Sequence, residues 1–216
     1  GIHTQYILTS ESEETGQAFI TVDEAGQNTI LVYGGANMTL SATDVEMSVD
    51  AFIGADFVVA QLEVPFEAIE QAFKIARKQN ITTVLNPAPA IELPKSLLEL
   101  TDIIIPNETE AELLTGISIN NESDMKETAT YFLDLGISAV LITLGEQGTY
   151  CAYQEQYKMI PACNVKAIDT TAAGDTFIGA FLSELNKDLS NLESAIRLAN
   201  QASSLTVQRK GAQASI

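Results

Sequence analysis

The sequence predicts an α/β domain with a mostly parallel sheet and a small β appendage on its N-terminal side. From Thr43 onward, short apolar runs alternate with helical stretches, the order that places parallel strands side by side with helices crossing between them. Upstream, two β-rich runs flank a polar turn, which reads as a hairpin with alternating exposure. Composition agrees: of 216 residues, 46% are hydrophobic and 19% charged, and mean hydropathy is slightly positive, more apolar surface than a solvated coil carries. That length suits one sizeable core, with two small domains as the fallback.

The hairpin strands are residues 17–22 and 29–33, around Asp23-Glu24-Ala25-Gly26-Gln27-Asn28. A two-stranded ribbon is not stable alone and must lean on something. Residues 57–60 form the first buried strand and a helix follows Pro65; strands come next at 82–85 and 102–105. Helical signals cover 107–114 and 123–135, followed by the apolar strand 138–143. Two shorter strands near 149–153 and 157–160 read as an antiparallel pair, and helices at 174–185 and from 189 to about 207 close the chain. There is no internal repeat and no low-complexity linker.

Eleven Lys and Arg against 29 Asp and Glu leave a formal charge of −18, with no basic stripe to neutralise a duplex, which argues against nucleic-acid binding. The same field disfavours anionic membrane surfaces, and any anionic ligand has to be held by backbone amides or a metal. No apolar stretch approaches the roughly 20 residues of a membrane span, and residues 1–15 are polar and acidic, unlike a signal peptide. Cys151 and Cys163, with His3 the one histidine, form neither a disulfide framework nor a zinc set. Both thiols are expected to be packing residues in a reducing cytoplasm. The first residue is Gly rather than Met, which leaves open that the chain is a piece of something longer.

The densest chemical signal is Asp169-Thr170-Thr171-Ala172-Ala173-Gly174-Asp175-Thr176-Phe177, where a loop enters a helix. Ala172, Ala173 and Gly174 let unpaired backbone N–H groups approach an anion, and the helix dipole favours negative charge there. Asp175 in the first turn would orient a hydroxyl and accept its proton during phosphoryl transfer; the alternative is an ordinary acidic helix start. A Walker A loop is ruled out: Gly174 and Gly179 have its interval, but Ala180 stands where its Lys belongs. There is no GxGxxG either.

Four strand ends carry polar or glycine-rich punctuation, and open α/β sheets bind ligands at such ends. Thr143-Leu144-Gly145-Glu146-Gln147-Gly148 would let a ligand lie across the backbone, or is a plain hairpin turn. Pro106-Asn107-Glu108-Thr109-Glu110 has capping-box spacing as well as a site's position. Glu63 follows the strand at 57–60, where an isolated surface Glu is the default, and Asn86-Pro87-Ala88-Pro89-Ala90 ends the next. Their convergence is what the separate bland readings leave unexplained.

These segments resemble, in order, the ribokinase branch of the PfkB carbohydrate kinases. The residues that carry the resemblance are Leu85 through Ala90, Pro106 through Ala111, Thr143-Leu144-Gly145 with Gly148, and Asp169 through Phe177, supported by Arg209-Lys210-Gly211-Ala212-Gln213. The resemblance implies a ribokinase-like three-layer α/β/α domain plus a β lid. Residues 1–37 are then partial lid and return, and 38–216 a nucleotide- and sugar-binding kinase domain. Family chains begin upstream of Gly1 with a strand carrying a sugar-binding Asp and a Gly-Gly signature. Gly34-Gly35-Ala36-Asn37 lacks that signature's Lys and reads as the lid's return. The 216 residues alone are therefore expected to bind nucleotide weakly and phosphorylate ribose poorly.

By this resemblance Asp175 is the catalytic base, Ala172, Ala173 and Gly174 form the anion hole, and Glu63 with Asp175 contacts the sugar. ATP would be lined by Asn107, Thr143, Leu144, Gly145, Glu146, Gln147, Gly148, Gly174 and Asp175, with Asn200 near the adenine. Glu110 would help to place magnesium-bound phosphates, so capping and catalysis compete for it. An activating potassium ion would sit at Asp169, Thr171, Thr206, Arg209, Gly211 and Ser215. The implied activity is ATP-dependent phosphorylation of D-ribose at the 5-hydroxyl, in the cytoplasm, by a homodimer joined through the lid. The alternatives are another pentose or nucleoside kinase of the superfamily, or a non-catalytic nucleotide-binding or assembly module.

Overall fold

The computed structural model describes residues 2–22 and 28–216, arranged around two sheets. The smaller pairs β1 (Gln17–Val22) with β2 (Asn28–Tyr33) antiparallel. Of the turn expected between them, residues 23–27 lie outside the described residues and Asn28 begins β2. The ribbon's return is pinned at its base, where the Ala36 N–H donates to the Glu14 carbonyl at 2.8 Å. Gly35 makes that approach at φ +52°, where a Cβ would run into the same carbonyl.

Next come α1 (Ala42–Met47), β3 (Phe57–Ala60), α2 (Phe66–Lys78), β4 (Thr82–Leu85), α3 (Lys95–Glu99) and β5 (Ile103–Ile104). They are followed by α4 (Glu108–Thr115), α5 (Glu122–Asp134), β6 (Ala139–Thr143), β7 (Gly148–Tyr153) and β8 (Gln156–Pro161). The last helices are α6 (Ala173–Glu184) and α7 (Leu192–Thr206). The large sheet has the order β3-β4-β5-β6-β7-β8, parallel from β3 to β6 and antiparallel beyond.

Side chains alternate across a strand, so one apolar run supplies both faces of the sheet. Val84, Ile103 and Leu141 pack with Phe177 and Phe181 of α6 and Ile196 and Ala199 of α7. Their neighbours face the other way: Leu85 meets Ile69, Phe73 and Leu97 of α2 and α3. Ile104, Val140 and Ile142 meet Ala111, Ala129 and Phe132 of α4 and α5. This is the expected three-layer α/β/α sandwich with its small β appendage.

Element ends differ where a side chain takes over a backbone role. The strand expected at 102–105 shortens to Ile103–Ile104, and the Asp102 carboxylate instead accepts from the Thr83 N–H and hydroxyl at 2.8 and 2.9 Å. The last helix begins at Leu192 rather than 189, because Leu189 is left-handed at φ +58° and Asn191 ties the α6–α7 corner together. The Asn191 side chain accepts from the Asn186 N–H and donates to the Glu184 carbonyl, both at 2.7 Å. Two short helices were not expected. One, α1, has a Ser41–Asp44 capping box; the other, α3, starts after Pro94. No helix of the described residues is long and apolar enough to cross a membrane.

Candidate active site

The C-terminal ends of β3, β4, β5 and β6 open onto one cleft of about 1130 Å³, closed on its far side by the start of α6 and a flank of α7. Gln61 follows β3, Asn86 and Ala88 follow β4, Asn107 to Glu110 follow β5, and Thr143 with Gly145 to Thr149 follow β6. The convergence expected from the sequence is therefore real. Among the described lining residues the charged side chains are Glu108, Glu110, Glu146 and Asp175, and none is Lys or Arg.

The α6 start is built for close approach. Ala172 is left-handed at φ 61°, a strained state for a residue with a Cβ, and Thr176 holds it by donating its N–H and hydroxyl to the Ala172 carbonyl at 2.9 and 2.8 Å. Of the three residues expected to form an anion hole, Ala173 spends its N–H on the Thr170 carbonyl at 3.2 Å, whereas the Ala172 and Gly174 N–H groups, and that of Asp175 beyond them, have no protein partner among the described residues. The last two are first-turn donors left over by the helix geometry. Ser203 of α7 donates its hydroxyl to the Ala173 carbonyl at 2.9 Å, and the Thr206 hydroxyl donates to that of Thr176 at 3.1 Å. Asp175 itself is exposed, and its Oδ1 accepts from Gln61 Nε2 at 3.3 Å.

Asn107 and Glu110 form the capping box in full. Asn107 Oδ1 accepts from the Glu110 N–H at 2.8 Å, and Glu110 accepts from the Asn107 N–H at 2.8 Å and from Asn107 Nδ2 at 2.9 Å. Glu110 is buried; burial raises its pKa, while the Asn107 N–H works against that rise. The segment is also locked to the loop after β6, since the Thr143 N–H donates to the Pro106 carbonyl at 2.9 Å.

The Thr143 to Gly148 segment is a hairpin connection whose Thr143 and Gly145 to Gly148 line the cleft, while Leu144 turns into the core with Ile142 and Tyr150. Gly148, at φ +112°, lies against the Ile160 carbonyl and the Ala162 nitrogen, with no room for a Cβ. Buried Asn200 spends its amide on the scaffold: Nδ2 donates to the Ile160 and Pro161 carbonyls at 3.0 and 3.3 Å, and Oδ1 accepts from the Thr149 hydroxyl at 2.8 Å. It lines the cleft as part of a fixed wall.

Of the residues expected at a potassium site, Asp169, Thr171 and Gly211 are joined directly. Asp169 accepts from the Gly211 N–H at 2.9 Å and the Thr171 N–H at 3.0 Å, and its own N–H donates to the Val207 carbonyl at 3.2 Å. The Gly211 N–H first, then Thr171, hold the Asp169 carboxyl down to about 2. Ser215 is buried with its hydroxyl donating to the Ala212 carbonyl at 2.6 Å, and the Arg209 N–H donates to the Thr206 carbonyl at 3.0 Å. Among the described residues, no group of three or more His, Cys, Asp or Glu has metal-binding proximity.

Glu63 is exposed and does not line the cleft, whereas Gln61, two residues earlier, does. One expectation needs correcting. Cys151 is buried as expected, its thiol pushed up to about 12 by burial, but Cys163 is exposed at the cleft, in the segment that follows edge strand β8.

A mostly parallel α/β/α sandwich with a cleft at its strand ends and unpartnered amides at a helix start beside it is the architecture of a ligand-binding α/β enzyme. Within that class, the chain belongs to the pfkB family of carbohydrate kinases, whose sequence profile matches residues 1–216. It is 64% identical over 215 residues to a ribokinase of Staphylococcus aureus, covering 100% of this chain and 71% of that protein. A ribokinase of Haemophilus influenzae is 44% identical, with 100% and 70% covered. The structure of Arabidopsis thaliana ribokinase complexed with ribose and ATP superposes with a TM-score of 0.84 at 32% identity, over 95% of this chain and 67% of that one.

The depressed Asp169 carboxyl makes a pH prediction. A carboxylate whose folded pKa is lowered adds stability above its unfolded pKa of about 4 and loses it as pH falls through about 2. Asp169→Asn should therefore be less stable than the parent by a constant margin at neutral pH, and the margin should close toward pH 2. Urea midpoints measured across this range test it; a margin independent of pH would show that the charge is not the source.

Proposed function

We propose that this chain phosphorylates the 5-hydroxyl of D-ribose with magnesium ATP as the phosphoryl donor. The observation that carries the reading is the placement of Asp175, a carboxylate beside unpartnered amides at a helix start, at the strand ends of a carbohydrate-kinase fold. Asp175 takes the hydroxyl proton as the sugar oxygen bonds to the γ-phosphorus; the bond from that phosphorus to the bridging oxygen breaks, leaving ADP and ribose 5-phosphate. The N–H groups of Ala172 and Gly174, with that of Asp175, at the positive end of α6, stabilise charge on the transferring group, and the small side chains of Ala172 and Ala173 keep their approach clear. Asn107 and the residues from Thr143 to Gly148 bound the nucleotide, with Asn200 behind them. Glu63, exposed just beyond β3, would contact the sugar.

The cleft's charge favours magnesium. Four acidic side chains with no Lys or Arg among the described lining residues would repel a bare triphosphate. A divalent cation arriving with the nucleotide supplies the missing positive charge. Glu110, whose oxygens already accept from Asn107, holds that cation at one remove.

Behind the helix start, a monovalent cation at Asp169, Thr171, Thr206, Arg209, Gly211 and Ser215 would stiffen the loop that aims the amides. The ribbon is the dimer contact: Phe19, Leu31 and Tyr33 share one face, and all three are exposed.

Three outcomes are expected of the full-length gene product. In a coupled assay against pentoses and nucleosides, D-ribose should have the highest kcat/KM, and Asp175→Asn should lower turnover about 10²- to 10⁴-fold with ATP affinity kept. A preferred nucleoside, ATP binding without sugar-dependent turnover, or a near-normal variant would overturn the reading. Replacing potassium with a bulky organic cation at fixed ionic strength should slow turnover; an unchanged rate removes the cation site. Sedimentation should show a dimer that Phe19→Asp with Leu31→Asp converts to monomer, and a dimer untouched by the pair would place the contact elsewhere.

A further inference from the structure

Gln61 lies just beyond β3, half-buried in the cleft wall, and the mechanism above gives it no part. Its Nε2 is 3.0 Å from Asn86 Oδ1 and 3.3 Å from Asp175 Oδ1. The direction of each bond is set by a group that has no alternative. The Ile105 carbonyl can only accept, so Asn86 must turn Nδ2 toward it, at 2.8 Å. That leaves Asn86 Oδ1, also only an acceptor, facing Gln61, which must answer with Nε2 rather than its carbonyl. Nε2 carries two hydrogens, and Asp175 Oδ1 takes the second. Asn86 is itself anchored, its N–H donating to the Ala60 carbonyl at 3.0 Å.

We infer that Gln61 is a positioning residue for the Asp175 base, the last link of a chain that transmits the order of the sheet to the first turn of α6. The inference rests on the reading of Asp175 as the base. An exposed Asp has two free side-chain torsions, and proton abstraction requires one of its oxygens to be held at the substrate hydroxyl. A donor fixed on Oδ1 removes that freedom and leaves Oδ2 for the incoming proton. The donor's neutrality matters too. A Lys or Arg in the same place would pair with the carboxylate and favour its charged form, weakening it as a base. An amide orients it without setting a charge beside it, and a carboxamide held by its neighbours cannot turn its oxygen toward the base.

The test is a double-mutant cycle in the full-length gene product, with kcat and the KM values for ATP and sugar measured separately. Gln61→Met keeps the length and loses the donor. It should lower kcat by about 10- to 10²-fold with the KM for ATP unchanged, and it should cost nothing further in an Asp175→Asn background, where no base remains to be aimed. Gln61→Glu, nearly isosteric, should lower kcat at least as much, because it offers oxygen to two oxygens. Thermal midpoints close to the parent's would show that both variants fold. If Asp175→Asn impairs turnover while Gln61→Met and Gln61→Glu keep the parent's kcat, the positioning role is overturned and the base survives. Losses that multiply independently in the double variant would also overturn it. Should Asp175→Asn leave turnover intact, the base reading fails, and this inference with it.

Discussion

Under the function proposed above, a chain with 29 acidic and 11 basic residues has to bring a polyphosphate into a cleft whose charged lining is Glu108, Glu110, Glu146 and Asp175. With no basic side chain among the described lining residues, attraction would come from backbone N–H groups and from a cation that enters with the ligand. The local structure of the α6 start suits this constraint. The small side chains of Ala172, Ala173 and Gly174 would let an anion reach the amides. The chain arrives at Ala172 in a left-handed turn that points it into the helix with two first-turn donors unspent. A residue with a larger side chain would guard those donors instead of offering them.

Small side chains leave such a turn with little packing of its own, so its rigidity is supplied by its surroundings. Ser203 and Thr206 bond to it from α7, Asp169 clamps the incoming loop to Gly211, and Phe177 and Phe181 pack α6 onto the sheet. Each hydrogen bond contributes about 1 kcal/mol in net stability, more where the Asp169 charge takes part, and together they remove the freedom that would otherwise be lost when ligand binds. Asn200 does the same on the facing wall, bridging α7 to β7 and β8 through three bonds.

The strand and helix succession was readable in the sequence because each apolar run is short, bounded and buried on both faces; β3 and β4 match the expected limits residue for residue. The α1 and α3 helices were missed because five or six residues carry too little periodicity, although Ser41 and Asp44 have capping-box spacing. That Asp175, Gly174, Thr143 and Gly145 to Gly148 share one cleft was legible from local spacing and chain order. Gln61 was not. Its role depends on Asn86 and Asp175, 25 and 114 residues away, and nothing in its own neighbourhood announces it. Cys163 misled for a related reason: burial of a thiol is a property of the element that carries it, and residues beyond an edge strand escape the core.

The competition between cap and site at Glu110 resolves in the geometry. A carboxylate has about four lone-pair positions, and the capping box uses one on each oxygen, from the Asn107 N–H and Asn107 Nδ2. The cap therefore fixes the side chain's orientation without exhausting it. Burial alone would push Glu110 toward its neutral form, in which one oxygen becomes a donor and the box loses an acceptor. The Asn107 N–H opposes that drift, and a divalent cation nearby would oppose it further. Cap and cation would then favour the same ionised state, so the helix-start chemistry that places Glu110 and the role proposed for it make compatible demands on the side chain.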